Sequence, residues 1–160
     1  MYATTYAKAK DVADAVNQLK GADEGKLLAG GQTLIPTLKQ RLASSDCLID
    51  LNDAGLSGIS DEGGSIRIGA MTRHVEVETS KLVKKAIPAL ATLASGIGDR
   101  QVRNCGTIGG SVANNDPSAC YPSALLALGA TVHTDKRDIA ADDYFTGMFE
   151  TALDEDEVIT

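Results

Sequence analysis

Lys26-Leu27-Leu28-Ala29-Gly30-Gly31-Gln32-Thr33-Leu34-Ile35-Pro36 is the stretch on which the fold turns. Residues 26–29 form a short apolar run of strand character that gives way to two glycines. A helical run over 34–42 follows, with Pro36 near its first turn, where a missing N–H costs nothing. A strand that turns through glycine into a helix is half of a parallel crossover, and the flanking sequence supplies the rest. Thr4 to Ala7 reads as a strand, and Val12, Ala15, Val16 and Leu19 recur at helical spacing until Gly21 stops them. Cys47-Leu48-Ile49-Asp50-Leu51 is the third strand. Strand–helix–strand–helix–strand over residues 1–54 predicts a small parallel sheet with right-handed crossovers.

From residue 55 the pattern changes to hairpins and short helices. Gly58-Ile59-Ser60 and Ser65-Ile66-Arg67-Ile68-Gly69 flank the turn Asp61-Glu62-Gly63-Gly64. Thr72 is placed to cap a helix running through Val77. Pro88 opens a helix carrying Leu90, Leu93 and Ala94, and Pro122 opens another that ends at Gly129. Residues 131–134 and 137–140 make a second hairpin around Asp135-Lys136. The acidic run Asp154 to Glu157 leads into Val158-Ile159-Thr160, which reads as the opening of a strand. Residues 55–160 therefore form a larger lobe with mostly antiparallel pairing and flanking helices, and the chain as a whole is α+β with two α/β lobes. Neither lobe shows an internal repeat or a low-complexity linker.

A second glycine stretch, Gly106-Thr107-Ile108-Gly109-Gly110-Ser111, lies far from the first and is followed by Asn114, Asn115 and Asp116. Glycine lets main-chain N–H groups approach an anion without a Cβ in the way, and a helix start adds its dipole. Taken alone, each stretch is also what an ordinary turn or a tight bend at a sheet edge requires, and Asn and Asp runs commonly sit in solvated turns. Two such loops from distant parts of one chain point to a ligand with two adjacent phosphates, held by bare main-chain donors of both. That ligand class is a dinucleotide.

Composition narrows the alternatives. The chain has 160 residues, 43% of them hydrophobic, enough for a core of its own. Its net charge of −7 argues against a nucleic-acid surface, which needs clustered Lys and Arg. No apolar run reaches membrane-span length, and the N-terminus lacks a signal-peptide pattern, so a cytoplasmic protein without a membrane anchor is expected. Cys47, Cys105 and Cys120 are widely spaced with only His74 and His133 as imidazole partners, which supports no disulfide framework, zinc site or iron–sulfur cluster. Gly21 to Lys26 fails as a P-loop because Leu27 replaces the required hydroxyl, and Gly96-Ile97-Gly98-Asp99 begins a GxGxxG fingerprint that it does not complete. There is no GxSxG elbow. Both histidines read as surface or packing residues, and Arg100 and Arg103 read as solvated charge.

Three stretches resemble a known family: residues 28–36, the segment Ile68-Gly69-Ala70-Met71-Thr72, and Gln101-Val102-Arg103-Asn104-Cys105-Gly106-Thr107-Ile108-Gly109-Gly110-Ser111-Val112-Ala113-Asn114. The resemblance continues through Asp116-Pro117 and Tyr121 to Ala130 and covers almost the whole chain. It is to the flavin-binding (medium) subunits of molybdenum hydroxylases, the group that includes carbon monoxide dehydrogenase and xanthine dehydrogenase. It implies a vanillyl-alcohol-oxidase (PCMH)-type FAD-binding fold with both glycine loops on the FAD diphosphate. That role would fall to Leu28, Ala29, Gly30, Gly31, Gln32, Thr33, Leu34 and Ile35, and to Thr107, Ile108, Gly109, Gly110 and Ser111. Ile97 and Gln101 stand where the family lines the flavin, with Asn114, Asn115 and Asp116 nearby. Family members often carry an acidic residue at the position of Cys120, and cysteine lacks that strong acceptor for the nucleotide. The chain itself would carry no catalytic acid–base pair and no metal.

The resemblance further implies a division of labour. A molybdenum-cofactor large subunit oxidises substrate, a small subunit with two [2Fe–2S] clusters passes on single electrons, and FAD here collects two for an external acceptor. Subunits of the family normally run well beyond a position equivalent to Thr160, so a fragment, a chain completed by another, or a flavoprotein-like scaffold without FAD are the alternatives at this stage.

Overall fold

Residues 1–54 fold as their alternation predicts. In a computed structural model, which describes residues 1–160, the order is β1 (Thr5–Lys8), α1 (Val12–Lys20), β2 (Lys26–Leu28), α2 (Leu34–Lys39) and β3 (Cys47–Asp50). All pairing is parallel, with β3 between β1 and β2, and Ile49 lies opposite both Ala7 and Leu27. The central strand is the most apolar one, and its Leu48 and Ile49 are buried. The carboxylate of Asp11 caps α1 by accepting the Asp14 N–H at 2.8 Å. This helix presses Ala15, Val12, Val16 and Leu19 onto the sheet around Ile49. Crossovers of this kind bring the β2–α2 turn out at one edge of the sheet, where the first glycine pair sits.

The rest of the chain is richer in helices than its sequence suggests. The hairpin β4 (Ile59–Asp61) and β5 (Ile66–Ile68) precedes six helices: α3 (His74–Thr79), α4 (Lys81–Ala86), α5 (Pro88–Ser95), α6 (Arg100–Cys105), α7 (Ile108–Asn114) and α8 (Cys120–Ala127). The hairpin β6 (Thr131–His133) and β7 (Asp138–Ala140), the short α9 (Ala141–Tyr144) and the hairpin β8 (Phe145–Gly147) and β9 (Glu150–Thr151) complete it. All three hairpins are antiparallel. Val77, Val83, Leu90, Ala94, Val112 and Tyr121 form the centre of the second core.

Two helix starts differ from expectation. Thr72 caps no helix: its hydroxyl accepts the Gly58 N–H at 2.9 Å and donates to the Gly58 carbonyl at 3.0 Å, pinning the chain to the β4 hairpin. Helix α3 begins two residues later, and the Glu76 carboxylate reaches back to the Arg73 N–H at 2.8 Å. The helix expected from Pro122 begins at Cys120, which leaves the proline inside the first turn, where no N–H is needed.

The last residues join the lobes. Thr160 donates to the His133 carbonyl and accepts the Ala70 N–H, both at 2.9 Å, while the Val158 carbonyl accepts from Asp135 at 3.0 Å. Beside Thr160, which lines it, β5 and β6 flank an apolar groove of about 510 Å³ with Ile68, Leu90, Val112 and Val132 in its walls. Lys20 of the first lobe pairs with Asp156 at 3.1 Å, and Lys136 also reaches Asp156. The buried Glu157 carboxylate accepts from Arg137 at 2.9 Å, from the Asp154 N–H at 2.9 Å and from the Thr134 hydroxyl at 2.7 Å. The Arg137 hydrogen bond is the chief reason the Glu157 carboxyl is held down to about 2, and Lys136 and then Lys20 hold Asp156 at about 2. Because both folded-state values lie below those of an unfolded carboxylate, the stabilisation is complete above about pH 4.5 and is lost as pH falls toward 2. The urea midpoint is therefore expected to fall across that window. Glu157→Gln should lower the midpoint at pH 7 and converge with the unsubstituted protein as pH approaches 2. Parallel curves for the two proteins would exclude this ion pair as the cause.

Candidate functional site

The first glycine loop leaves β2 at Leu28 and enters α2 at Leu34. Gly31 adopts a φ of +69°, in the left-handed region that glycine occupies without strain. Its open side is filled by Ile35 and Leu28, whose side chains would lie 3.0 and 3.2 Å from a Cβ there. The first bonds of the helix run from Ile35 N–H to the Gly31 carbonyl (3.1 Å) and from Thr37 N–H to the Thr33 carbonyl (3.2 Å). Upstream of them, the main-chain N–H groups of Gly30, Gly31, Gln32, Thr33 and Leu34 donate to no protein atom. Five successive donors without an acceptor are what an anion needs. The Gln32 amide donates back to the Gly30 carbonyl at 2.8 Å and holds the turn closed.

The second loop is built differently. Thr107 caps α7, its hydroxyl accepting the Gly110 N–H at 3.2 Å, and its carbonyl accepts from Ser111 at 3.1 Å. The Ile108 N–H donates to Thr72 at 3.0 Å and the Gly109 N–H to Ala70 at 2.8 Å. This corrects the expectation that both loops offer bare main-chain donors. Residues 70–74 run antiparallel to 106–109, through an isolated bridge between Arg73 and Thr107, and take up the first N–H groups of the helix. What the second loop leaves free is the Thr107 N–H, the Ser111 hydroxyl and the Asn114 amide side chain, none of which bonds to protein.

The two loops touch. A Cβ on Gly30 would stand 2.2 Å from the Cys105 carbonyl oxygen and 2.7 Å from the Gly106 α-carbon. One on Gly110 would lie 3.5 Å from the Ala29 Cβ. Only glycine at position 30 permits this approach, which brings the start of loop one and its free N–H groups against the Cys105–Gly106 turn that opens loop two.

The other residues singled out from the sequence have varied engagements. Ile97 is half-buried against the second core, and Arg103 donates to the Ile97 and Gly98 carbonyls, both at 3.1 Å, while pairing with Glu78 at 3.0 Å. Arg103 is thus a brace for the Ile97 turn rather than loose surface charge. Gln101 is exposed on α6, about one helical turn before Cys105. Asn115, at a φ of +43°, ends α7 and donates its amide to the Gly147 and Glu150 carbonyls, each at 2.8 Å, so its side chain is committed to the β8–β9 hairpin. The Asp116 carboxylate accepts the Ser118 N–H at 2.8 Å, and Cys120 is an exposed thiol in the first turn of α8. Sequence reasoning missed Ala70 and His74 as parts of this region. Ala70 lies within the stretch Ile68 to Thr72, but nothing local marks His74. His74 is in fact buried beneath Gly106, and burial, reinforced by the Arg103 guanidinium, holds its imidazole down to about 4.

The protein family described as FAD binding domain in molybdopterin dehydrogenase matches residues 2–160. The chain belongs to this family. It is 37% identical over 161 residues to the glyceraldehyde dehydrogenase medium chain of Sulfolobus acidocaldarius, covering 98% of this chain and 57% of that one. Against the carbon monoxide dehydrogenase medium chain of Afipia carboxidovorans the identity is 40% over 161 residues, covering 97% and 56%. A solved structure of carbon monoxide dehydrogenase from Hydrogenophaga pseudoflava superposes with a TM-score of 0.96 at 39% identity, covering 99% of this chain and 57% of that one. The chain thus spans little more than half the length of the curated relatives it matches. The FAD-binding fold of molybdopterin dehydrogenases is the fold of this chain, and FAD is the cofactor of its family. No helix is long and apolar enough to cross a membrane.

Proposed function

We propose that this chain is the FAD-binding part of the flavin subunit of a molybdenum hydroxylase, with residues 1–54 and 55–160 as its two lobes. The observation that carries the reading is the run of five acceptor-less N–H groups from Gly30 to Leu34, whose Gly30 lies against Cys105 and Gly106 while the neighbouring Ala29 faces Gly110. A diphosphate fits that cradle: its charge is met by backbone dipoles rather than by side-chain cations, which a chain of net charge −7 would supply sparingly. Loop one holds the diphosphate, and the Thr107 N–H and Ser111 hydroxyl complete its coordination from loop two. Leu28 and Ile35 pack against Gly31 at the base of loop one, and Ile108 is buried in the second core at the start of α7. Ile97, braced by Arg103, and Gln101 line the flavin side, and Asn114, Asn115 and Asp116 border it. At the nucleotide end Cys120 takes the place of a carboxylate and leaves one contact unmade.

FAD supplies the redox chemistry, accepting electrons singly and passing them on in pairs. The chain supplies position and a screened environment. Donors upstream come from a [2Fe–2S] small subunit, and substrate oxidation belongs to a molybdenum-cofactor large subunit. The acceptor is external, and the complex works in the cytoplasm without nucleic acid or membrane. The direct test is a titration of FAD with the purified chain, following quenching of flavin fluorescence. Saturable quenching at micromolar protein is expected, and its absence there counts against the cofactor reading.

A further inference from the structure

We propose that His74 is a positioning residue for the cofactor cleft, setting the spacing of the two glycine loops through Gly106. The inference rests on the reading of the cleft as the FAD diphosphate site. His74 opens α3 and is only 5% exposed. Its main-chain N–H donates to the Gly106 carbonyl at 3.0 Å, and its ring lies under the same residue. A Cβ on Gly106 would stand 2.6 Å from Nε2 and 2.9 Å from Cδ2, so the ring and the backbone are in full contact. The Gly106 α-carbon would in turn stand 2.7 Å from a Cβ on Gly30. Imidazole, Gly106 and Gly30 thus make one stack with no flexible side chain inside it, and the ring's bulk decides how far loop two stands toward loop one.

Behind the imidazole sits the wholly buried Tyr121, with ring centroids 5.4 Å apart and planes inclined by 42°. Neither His74 Nδ1 nor the Tyr121 hydroxyl has a hydrogen-bond partner, although both are buried. Two orphaned polar atoms in one contact are costly, and such groups in a folded protein call for a reason beyond packing. Arg103 on α6 is the charged group facing the ring, held by Glu78 of α3, and it reinforces the neutral state that burial imposes. A neutral, wedged ring transmits a fixed thickness, and binding sites lose affinity when supporting residues shift donors by even half an ångström.

The test uses amide variants of different reach in the purified chain, comparing FAD affinity by fluorescence quenching with thermal stability measured without FAD. His74→Gln extends to about the Nε2 position and still fills the space under Gly106, so its FAD Kd should stay within about threefold of the unsubstituted protein. His74→Asn is too short to reach Gly106, and its Kd should rise by at least about tenfold. Tyr121→Phe removes the orphaned hydroxyl without altering volume and should leave Kd within about threefold while holding or raising the melting temperature. A purely structural His74 would lower stability in both amide variants without separating their affinities. Equal Kd for the Asn and Gln variants, with both folded by circular dichroism, would overturn the proposal. Should either fail to fold, ¹⁵N signals of the His74 ring decide: they are expected to move on adding FAD, and unmoved signals in the liganded protein overturn it. Absence of FAD binding by the unsubstituted chain is the separate result that removes the cofactor reading and this inference with it.

Discussion

Gly30→Val is expected to abolish FAD binding at micromolar concentrations while the chain still folds. The added Cβ would stand 2.2 Å from the Cys105 carbonyl oxygen and 2.7 Å from the Gly106 α-carbon. Both obstacles are backbone, so no rotamer change relieves them and the loops must part by about an ångström. Overpacking of this kind costs roughly 1–3 kcal/mol of stability. The larger effect falls on the cleft, because the five free N–H groups of Gly30 to Leu34 move away from loop two together. A displacement of that size in a positioned site is worth on the order of a hundredfold. Gly96→Ala is the matched control: its nearest neighbour to a new Cβ is a carbonyl at 3.5 Å, an ordinary contact, and its φ is −87°. The valine variant should show no saturable quenching of FAD fluorescence where the alanine variant and the unsubstituted chain do. FAD binding of unchanged strength by Gly30→Val would mean that contact between the loops is irrelevant to the cofactor.

The first lobe was legible because its strands, glycine turn and helices are marked locally, although Met71 and Val158 from far along the chain also enter its core. A buried strand, a glycine turn and a helical period repeat within a few residues, and parallel crossovers then follow from handedness. The second lobe depends on contacts between segments far apart in sequence, and there local signals mislead. Helix α7 contains Gly109 and Gly110, two of the poorest interior helix residues, so its sequence reads as a loop. What makes it a helix is Ala70, which accepts the Gly109 N–H and leaves no room for a side chain there. The same contact explains why the donor inventory of loop two could not be read in advance: residues 70–74 occupy it, and nothing in 106–111 announces them. Thr72 illustrates the converse. A hydroxyl before a helix is ordinarily a cap, but tertiary pairing with Gly58 offers both a donor and an acceptor and prevails. Of the candidate site, the two glycine stretches were visible as stretches, whereas their contact and the ring beneath Gly106 emerge only from folding. The left-handed Asn115 had a partial signal, an Asn at the end of a helix ahead of Asp-Pro, consistent with a C-terminal cap.

The second large effect is expected from Gly109→Asp, and it falls on stability before it falls on cofactor affinity. From the sequence, an aspartate here would repel the diphosphate directly. The structure turns this glycine toward the core instead. A Cβ would lie 2.6 Å from the Ala70 Cβ and 2.7 Å from the Ala70 carbonyl oxygen, on the wall of the apolar groove between β5 and β6. The carboxylate would be driven into that wall without a partner, and the start of α7 would have to leave residues 70–72. Steric displacement and an uncompensated charge together cost roughly 3–5 kcal/mol. For a domain of this size that is a fall in melting temperature of roughly 10–20 °C. Gly110→Asp separates this from electrostatics. Its Cβ would face the Thr107 hydroxyl at 2.9 Å, a side-chain atom able to rotate away, and the Ala29 Cβ at 3.5 Å. An acidic residue in the first turn of a helix also favours the dipole. Gly110→Asp should therefore melt within about 4 °C of the unsubstituted chain, a change of about 1 kcal/mol, yet bind FAD at least about tenfold more weakly because its carboxylate faces loop one. Calorimetry and FAD titration on the same two variants check both halves. A Gly109→Asp protein that keeps its melting temperature and loses only FAD affinity would place that glycine at the anion rather than against Ala70.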